Sequence, residues 1–287
     1  MTVTPLSPHV SGTAAPAFRG RIGRDARSGH YAVPGRYRLH LSTACPDGLR
    51  IAVMHSLLGL DTACPATFLP AVPDCLERGH SALRPLYEAS AHRYPGPALG
   101  PVLSDGWSGR IVSTHVPDIM RDLSRFGTDG PAPYPCGAES EIEALERMCR
   151  QGVDEAAQRA GATGVEQADR DAALATLLDT LGALDRWLDG RAYLIRDHLT
   201  AADIEVWTTL VHLDTVHRQH LDAAAVHRIA DHPALWSYAR RLTAHPAFGT
   251  HLDLAGVERR HRARCRGLES AGAAVQILDW AAHTGRS

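Results

Sequence analysis

The sequence predicts an α/β domain followed by an all-helical domain, and three observations carry that prediction. Strand periodicity and a turn-rich hairpin signal fall in the first part of the chain. A cluster of Pro and Gly residues interrupts the pattern at 127–137. Beyond it the patterned segments lack strand alternation and have helical spacing.

An extended arm is expected over 1–35, which is rich in Pro, Gly, Ser and Arg, and the α/β domain over 36–126. Tyr37, Leu39 and Leu41 alternate with polar residues, which predicts a strand. Cys45 and Pro46 follow, then a helical stretch to Leu58 that ends at Gly59. Proline suits the first helical position because its missing N–H would be unpaired there anyway. Cys45 therefore falls on a strand-to-helix turn, at a helix N-terminus. Residues 61–80 carry several prolines and read as loop with one short strand, and 82–92 read as helix. Residues 102–104 and 110–113 flank Asp105-Gly106-Trp107-Ser108-Gly109, the pattern of a hairpin. A helix with Pro117 in its first turn runs to about Phe126. After the linker at 127–137, the helical domain is expected over 138–287, with helices near 138–160, 166–188, 201–218, 222–230, 233–243 and 256–268. Thr200 and Asp203 form a capping-box pair ahead of Ile204, Trp207 and Leu210.

Composition narrows the chemistry. The 287 residues have a formal net charge of -2, so neither a nucleic-acid nor a membrane surface is expected. All 30 cationic residues are arginine. Without a lysine amine, Schiff-base chemistry and a Walker-type phosphate loop are excluded. Arginine without lysine, with abundant Ala and Gly, points to a high-GC, bacterial genome. Residues 1–16 lack the basic start and apolar stretch of a secretory signal, and no run approaches the roughly 20 apolar residues of a membrane span. A cytoplasmic protein with reduced thiols is the expectation.

Six cysteines occur, and Cys45 is the one with a physical reason to react. A helix N-terminus stabilises a thiolate through its dipole and free N–H groups, which predicts a lowered pKa. Asp47, in the first turn, opposes that effect. The motif Cys45-Pro46-Asp47-Gly48 has no second cysteine, so a monothiol mechanism follows, with an external thiol resolving the adduct. The bland alternative is a buried, inert cysteine.

Pro34-Gly35-Arg36-Tyr37-Arg38-Leu39-His40, followed by Ala44-Cys45-Pro46 and Arg50, resembles the start of the glutathionyl-hydroquinone reductases, the Xi-class branch of the glutathione transferases. Leu83-Arg84-Pro85-Leu86-Tyr87 and Gly100-Pro101-Val102-Leu103 resemble further family segments. So do Thr200-Ala201-Ala202-Asp203-Ile204, Leu213-Asp214-Thr215-Val216-His217 and Asp231-His232-Pro233-Ala234-Leu235-Trp236. The order and spacing hold from about residue 18 to 268.

The resemblance implies a glutathione-transferase fold: a thioredoxin-like N-terminal domain and an all-α C-terminal domain. It implies glutathione as cofactor, a hydrophobic or aromatic small-molecule substrate, and a homodimer. Cys45 matches the cysteine that takes glutathione from a glutathionylated quinol. Gly100 precedes Pro101, the expected cis-proline, whose backbone would pair with that of a bound thiol peptide. Arg84 matches an arginine near the thiol ligand that could hold a carboxylate.

The departures from the family pattern gather at the ligand pocket. Asp47 and Gly48 replace Trp-Ala. His115 and Val116 stand where a Glu-Ser pair grips the γ-glutamyl end of glutathione. A lost charge-assisted hydrogen bond costs about 1.5–3 kcal/mol, so glutathione binding should weaken. Mycothiol lacks the γ-glutamyl group, and a bacterium using that thiol would make the loss intelligible. Asp154 and His217 replace tyrosines of the second-substrate pocket, and Asp214 shares a helical face with His217.

Other arrangements are weaker. His212, His217 and His220, or His245, His251, His261 and Cys265, are suitable metal ligands by type, but none has compact spacing, and no metal is expected. Two alternatives stay open beside the thiol-dependent enzyme. One is an enzyme using His115, Asp47 or His217 as acid or base without a thiol cosubstrate. The other is a non-catalytic small-molecule-binding protein.

Overall fold

The computed structural model describes residues 18–126, 131–265 and 276–283. Residues 1–17 of the expected arm, 127–130 of the linker and the end of the helix expected to reach 268 lie outside the described residues.

A four-stranded sheet is built from β1 (Tyr37–Leu41), β2 (Ala66–Phe68), β3 (Val102–Asp105) and β4 (Arg110–Ser113), in the order β2-β1-β3-β4. β1 pairs parallel with β2 and antiparallel with β3, and β3 with β4 antiparallel. Tyr37, Leu39 and Leu41 point inward, as their alternation requires. α1 (Pro46–Leu57) and α3 (Val116–Leu123) pack together on one side of the sheet. α2 (Arg84–Ser90) packs against β4 over a small cluster of Leu83, Tyr87, Tyr94, Val102 and Ile111. The hairpin turn is fixed by Asp105, which accepts from Arg36 at 3.0 and 2.8 Å and from Trp107 N at 3.0 Å.

Residues 18–35 are tied to this domain. Gly20 N donates to Val112 O and Thr114 N to Phe18 O, along the free edge of β4. Arg19 reaches Asp118 at 2.9 Å, Arg21 reaches Asp122 at 2.8 Å, and Ile22 is fully buried. Residues 18–35 of the expected arm therefore pack as part of the α/β domain, whose expected start at 36 is too late. Hydrogen bonding to an edge strand and two aspartates of α3 hold a segment that has no hydrophobic period of its own.

The remainder is helical: α4 (Glu139–Arg147), a π-helical segment (Met148–Asp154), α5 (Glu155–Gly161), α6 (Gln167–Leu188), α7 (Ala201–Thr215), α8 (Ala223–Ala230), α9 (Pro233–Thr243), α10 (Pro246–Gly249) and α11 (Leu254–Arg264). Among the described residues no helix is long and apolar enough to cross a membrane. α7 is buried on nearly every side and starts at the expected capping box. Asp203 Oδ2 accepts from Thr200 N and Oγ1, both at 2.8 Å. Its Oδ1 accepts from Leu194 N at 3.0 Å and from Tyr238 at 2.8 Å. One continuous apolar core joins the sheet, α1, α6, α7 and α9, with α1 packed on α7. That contact brings the turn before α1 against the helical half.

Candidate active site

Cys45 is the N-cap of α1. Its Sγ accepts from Gly48 N at 3.3 Å and donates to Ser42 O at 3.2 Å. The close turn requires glycine at 48, because a Cβ there would lie 2.1 Å from Ser42 O. Only 7% of Cys45 is exposed. Burial raises its pKa; Arg260 of α11 and the Gly48 N–H pull it down, and Asp47 pushes it up. The expected lowered pKa is corrected: desolvation of a nearly enclosed sulfur outweighs the helix N-terminus. Burial also pushes Cys64 up to about 12 and Cys149 well above its ordinary value.

The Gly100–Pro101 peptide is cis. Gly100 sits against β1, where a Cβ would come within 3.1 Å of His40 O and 2.9 Å of Leu69 Cδ1.

A cavity of about 370 Å3 opens between the two halves of the chain; Asp47, two residues after Cys45, lines it, whereas Cys45 itself does not. The first half contributes Asp47 and Arg50 from α1, and Thr114, His115, Val116, Pro117 and Met120 around the start of α3. The second contributes Tyr134, Glu146, Arg150, Asp154, Ala201 and Glu205. The fold thus brings together Asp47, His115, Val116 and Asp154, which lie far apart in sequence. His115 is the N-cap residue of α3, and its Nδ1 lies 2.9 Å from Asp118 Oδ2, without hydrogen-bond alignment.

Arg50 organises the charge in the cavity. Its guanidinium lies 2.9 Å from Glu205, 3.1 Å from Asp47 and 4.0 Å from Asp154. Burial nevertheless dominates both inner acids. Glu205 is raised to about 7, against the pull of Arg50, and Asp154 to about 6 for the same reason. Arg50 itself stays charged: burial lowers its pKa, but Glu205, Asp47 and Asp154 together raise it further. The cavity therefore holds two carboxyl groups able to exchange protons near neutral pH.

His217 follows α7 in a short 3-10 turn. Its ring meets His212 edge to face at 4.8 Å between centroids. Burial lowers His217 to about 4 and His212 to about 3, so both are neutral imidazoles.

Two expected site residues serve elsewhere. Arg84 donates to Glu88 at 3.0 Å, Gly96 O at 2.9 Å and Tyr94 O at 3.1 Å. Its guanidinium braces the loop after α2 and is absent from the cavity lining. Asp214 is fully buried and accepts from Ile277 N, Leu278 N and Trp280 Nε1 at 2.9, 3.0 and 2.8 Å. Arg218 Nε lies 3.1 Å away. Asp214 thus anchors the C-terminal segment, and its i,i+3 spacing to His217 produces no pair.

Arg50 as an organiser, Glu205, Glu146 and Tyr134 were not foreseen in these roles. Two of them had a sequence signal. Arg50 interrupts the apolar run Leu49–Val53 (49–53), and Glu205 interrupts 204–211 of α7. A single charge inside each of two apolar helices is the pattern of a buried ion pair between them.

A small sheet with a Cys-Pro turn and a cis-proline, joined to an all-helical half across a cleft, defines the glutathione-transferase fold. Residues 167–241 match the glutathione S-transferase C-terminal domain family. The glutathionyl-hydroquinone reductase PcpF of Sphingobium chlorophenolicum is 32% identical over 256 residues, spanning 83% of this chain and 80% of that protein. The glutathionyl-hydroquinone reductase YqjG of Escherichia coli is 27% identical over 294 residues, spanning 93% and 88%. The glutathione-bound structure of YqjG superposes with a TM-score of 0.77 at 26% identity, covering 91% of this chain and 94% of that one. A glutathione transferase from Gordonia bronchialis gives 0.78 at 26%, covering 91% and 88%. The chain belongs to the glutathionyl-hydroquinone reductase family of the glutathione transferases, and it is a transferase-like, thiol-dependent enzyme.

Proposed function

We propose that this enzyme removes a thiol from an aromatic thioether, with Cys45 as nucleophile. The Cys45 thiolate attacks the thioether sulfur and forms a mixed disulfide. The carbon–sulfur electron pair passes to the ring carbon, which takes a proton, so the aromatic product is reduced. A second low-molecular-weight thiol then attacks the mixed disulfide, frees Cys45 and leaves as the oxidised disulfide. Glu205, poised near neutrality, is suited to supply the proton. The observation that carries the proposal is Cys45 at the α1 N-cap, its sulfur hydrogen-bonded to Gly48 N, on the same first turn as Asp47 of the inter-domain cavity. Its raised pKa implies that substrate or thiol entry must expose or ionise the sulfur.

The substrate is a hydrophobic aromatic molecule in the half of the cavity lined by Tyr134, Met120 and Asp154. The thiol is glutathione in the relatives' chemistry, with Gly100 and Pro101 offering backbone to it and His115 and Val116 at its far end. Because His115 and Val116 provide no carboxylate for a γ-glutamyl ammonium, mycothiol is the alternative thiol. The same reading makes the protein a cytoplasmic, bacterial homodimer, consistent with its six free cysteines. Sedimentation at twice the 31.0 kDa chain mass is expected, and a monomer mass would remove that part.

Intact-mass measurement after incubation with glutathione disulfide, mycothiol disulfide or a glutathionylated hydroquinone tests the proposal. The wild type should gain one thiol that Cys45→Ser lacks, and aromatic product should appear with the wild type alone. Equal turnover by both proteins would instead favour acid–base chemistry without a thiol, a reading the near-neutral carboxyl pair supports.

A further inference from the structure

Asp154 faces a second group of side chains that the thiol chemistry does not use. One donor atom each from Asp154, His212 and His217 lies within 4.8 Å of the others. Asp154 ends the π-helical segment, His212 lies in the last turn of α7, and His217 opens the 3-10 turn behind it. Asp154 Oδ1 and His217 Nε2 are both buried without a hydrogen-bond partner. An unpaired buried atom on each of two residues of one trio is costly, which points to a missing partner that both residues can bind.

A cation meets that requirement. Two neutral imidazoles and a carboxylate form a borderline donor set, suited to zinc-class ions over magnesium or calcium. Tetrahedral donors at about 2.1 Å from a metal stand roughly 3.4 Å apart, so small side-chain rotations close the set. Arg50 is engaged with Glu205 at 2.9 Å and stands 4.0 Å from Asp154, which leaves that carboxylate available. Asp154 also lines the cavity, so a fourth position would open toward it. We propose that Asp154, His212 and His217 bind one divalent transition-metal ion of the zinc class, open to the inter-domain cavity.

A neighbouring trio, His220, His261 and Cys265, has the same donor spacing. There His261 already contacts His220 at 3.1 Å and Cys265 at 3.1 Å, so its donors engage one another. Asp154 Oδ1 and His217 Nε2, buried without a partner in the first trio, and the mutual engagement of the second make the first the stronger site.

Cobalt titration of the chelator-stripped full-length protein tests the proposal, with visible absorption as readout and zinc calorimetry beside it. One equivalent should bind and give d–d bands without a sulfur charge-transfer band. His212→Ala, His217→Ala and Asp154→Asn should each weaken binding by about 100-fold or more, since even outer-shell changes cost about 10–100-fold. Cys265→Ser and His261→Ala should leave affinity and spectrum unchanged. Far-UV circular dichroism and thermal melts of every variant establish that the fold is kept. No saturable binding, or undiminished binding in a folded His217→Ala, overturns the proposal. Loss of binding in Cys265→Ser also overturns it, by assigning the metal to the neighbouring trio. None of these readouts depends on thiol turnover, so failure here is separable from failure of the Cys45 chemistry.

Discussion

Replacing Glu205 by Gln changes how the stability of the enzyme depends on pH. In the folded chain Glu205 is raised from 4.5 to about 7, because burial outweighs the Arg50 guanidinium at 2.9 Å. The folded state therefore binds the proton more tightly than the unfolded state does. For a carboxyl raised in this way, the stabilising contribution is present at low pH. It is lost as pH rises between about 4.5 and about 7. A shift of about 2.5 units corresponds to roughly 3.4 kcal/mol at 1.36 kcal/mol per unit, and a tightly coupled buried pair reduces this to about 2–3 kcal/mol. Gln keeps the shape and a hydrogen bond to Arg50 but cannot titrate, while Asp47 and Asp154 still neutralise the guanidinium. Urea unfolding of the wild type and Glu205→Gln from pH 5 to pH 8 measures the difference. The wild type should lose about 2 kcal/mol relative to the variant over that span. A flat difference, or a wild type that gains relative stability as pH rises, refutes the reasoning. Either result would mean that Arg50 wins over desolvation and that Glu205 is an ordinary ionised partner.

Three further outcomes follow from the structure. At pH 7 without substrate, iodoacetamide should label Cys75 faster than Cys45, because backbone N–H groups lower the Cys75 pKa whereas burial raises that of Cys45; peptide mapping over time reads the order. Gly48→Ala forces a Cβ to within 2.1 Å of Ser42 O, so stability should fall by about 2 kcal/mol or more and thiol-adduct formation at Cys45 should be lost, as read by melts and intact mass. Asp214→Ala removes the acceptor for Ile277, Leu278 and Trp280; Trp280 should become solvent-exposed by fluorescence quenching, cleavage beyond Cys265 should accelerate, and stability should drop by about 3–5 kcal/mol.

Local rules written in the sequence determined much of this protein. The alternation at Tyr37, Leu39 and Leu41, proline at the first turn of α1, the hairpin turn around Gly106 and the capping box at Thr200 and Asp203 all act over a few residues. Their outcome could therefore be read without the fold. The position of Cys45 on a strand-to-helix turn was legible for the same reason. Its chemistry was not. The helix N-terminus is a local feature, but the burial that raises the thiol pKa is a product of packing, and Arg260, which opposes it, reaches the sulfur from α11 far along the chain. Arg84 and Asp214 show the same division: the family resemblance suggested a ligand role for the first and helical spacing one for the second, yet Tyr94, Gly96 and residues 277–280 claim their hydrogen bonds. The ion pair of Arg50 with Glu205 and the meeting of Asp154 with His212 and His217 depend on how α1, α7 and the π-helical segment pack. Sequence sets which groups a helix carries and on which face. Only tertiary packing decides which of them lose water together, and that loss is what tunes their charge.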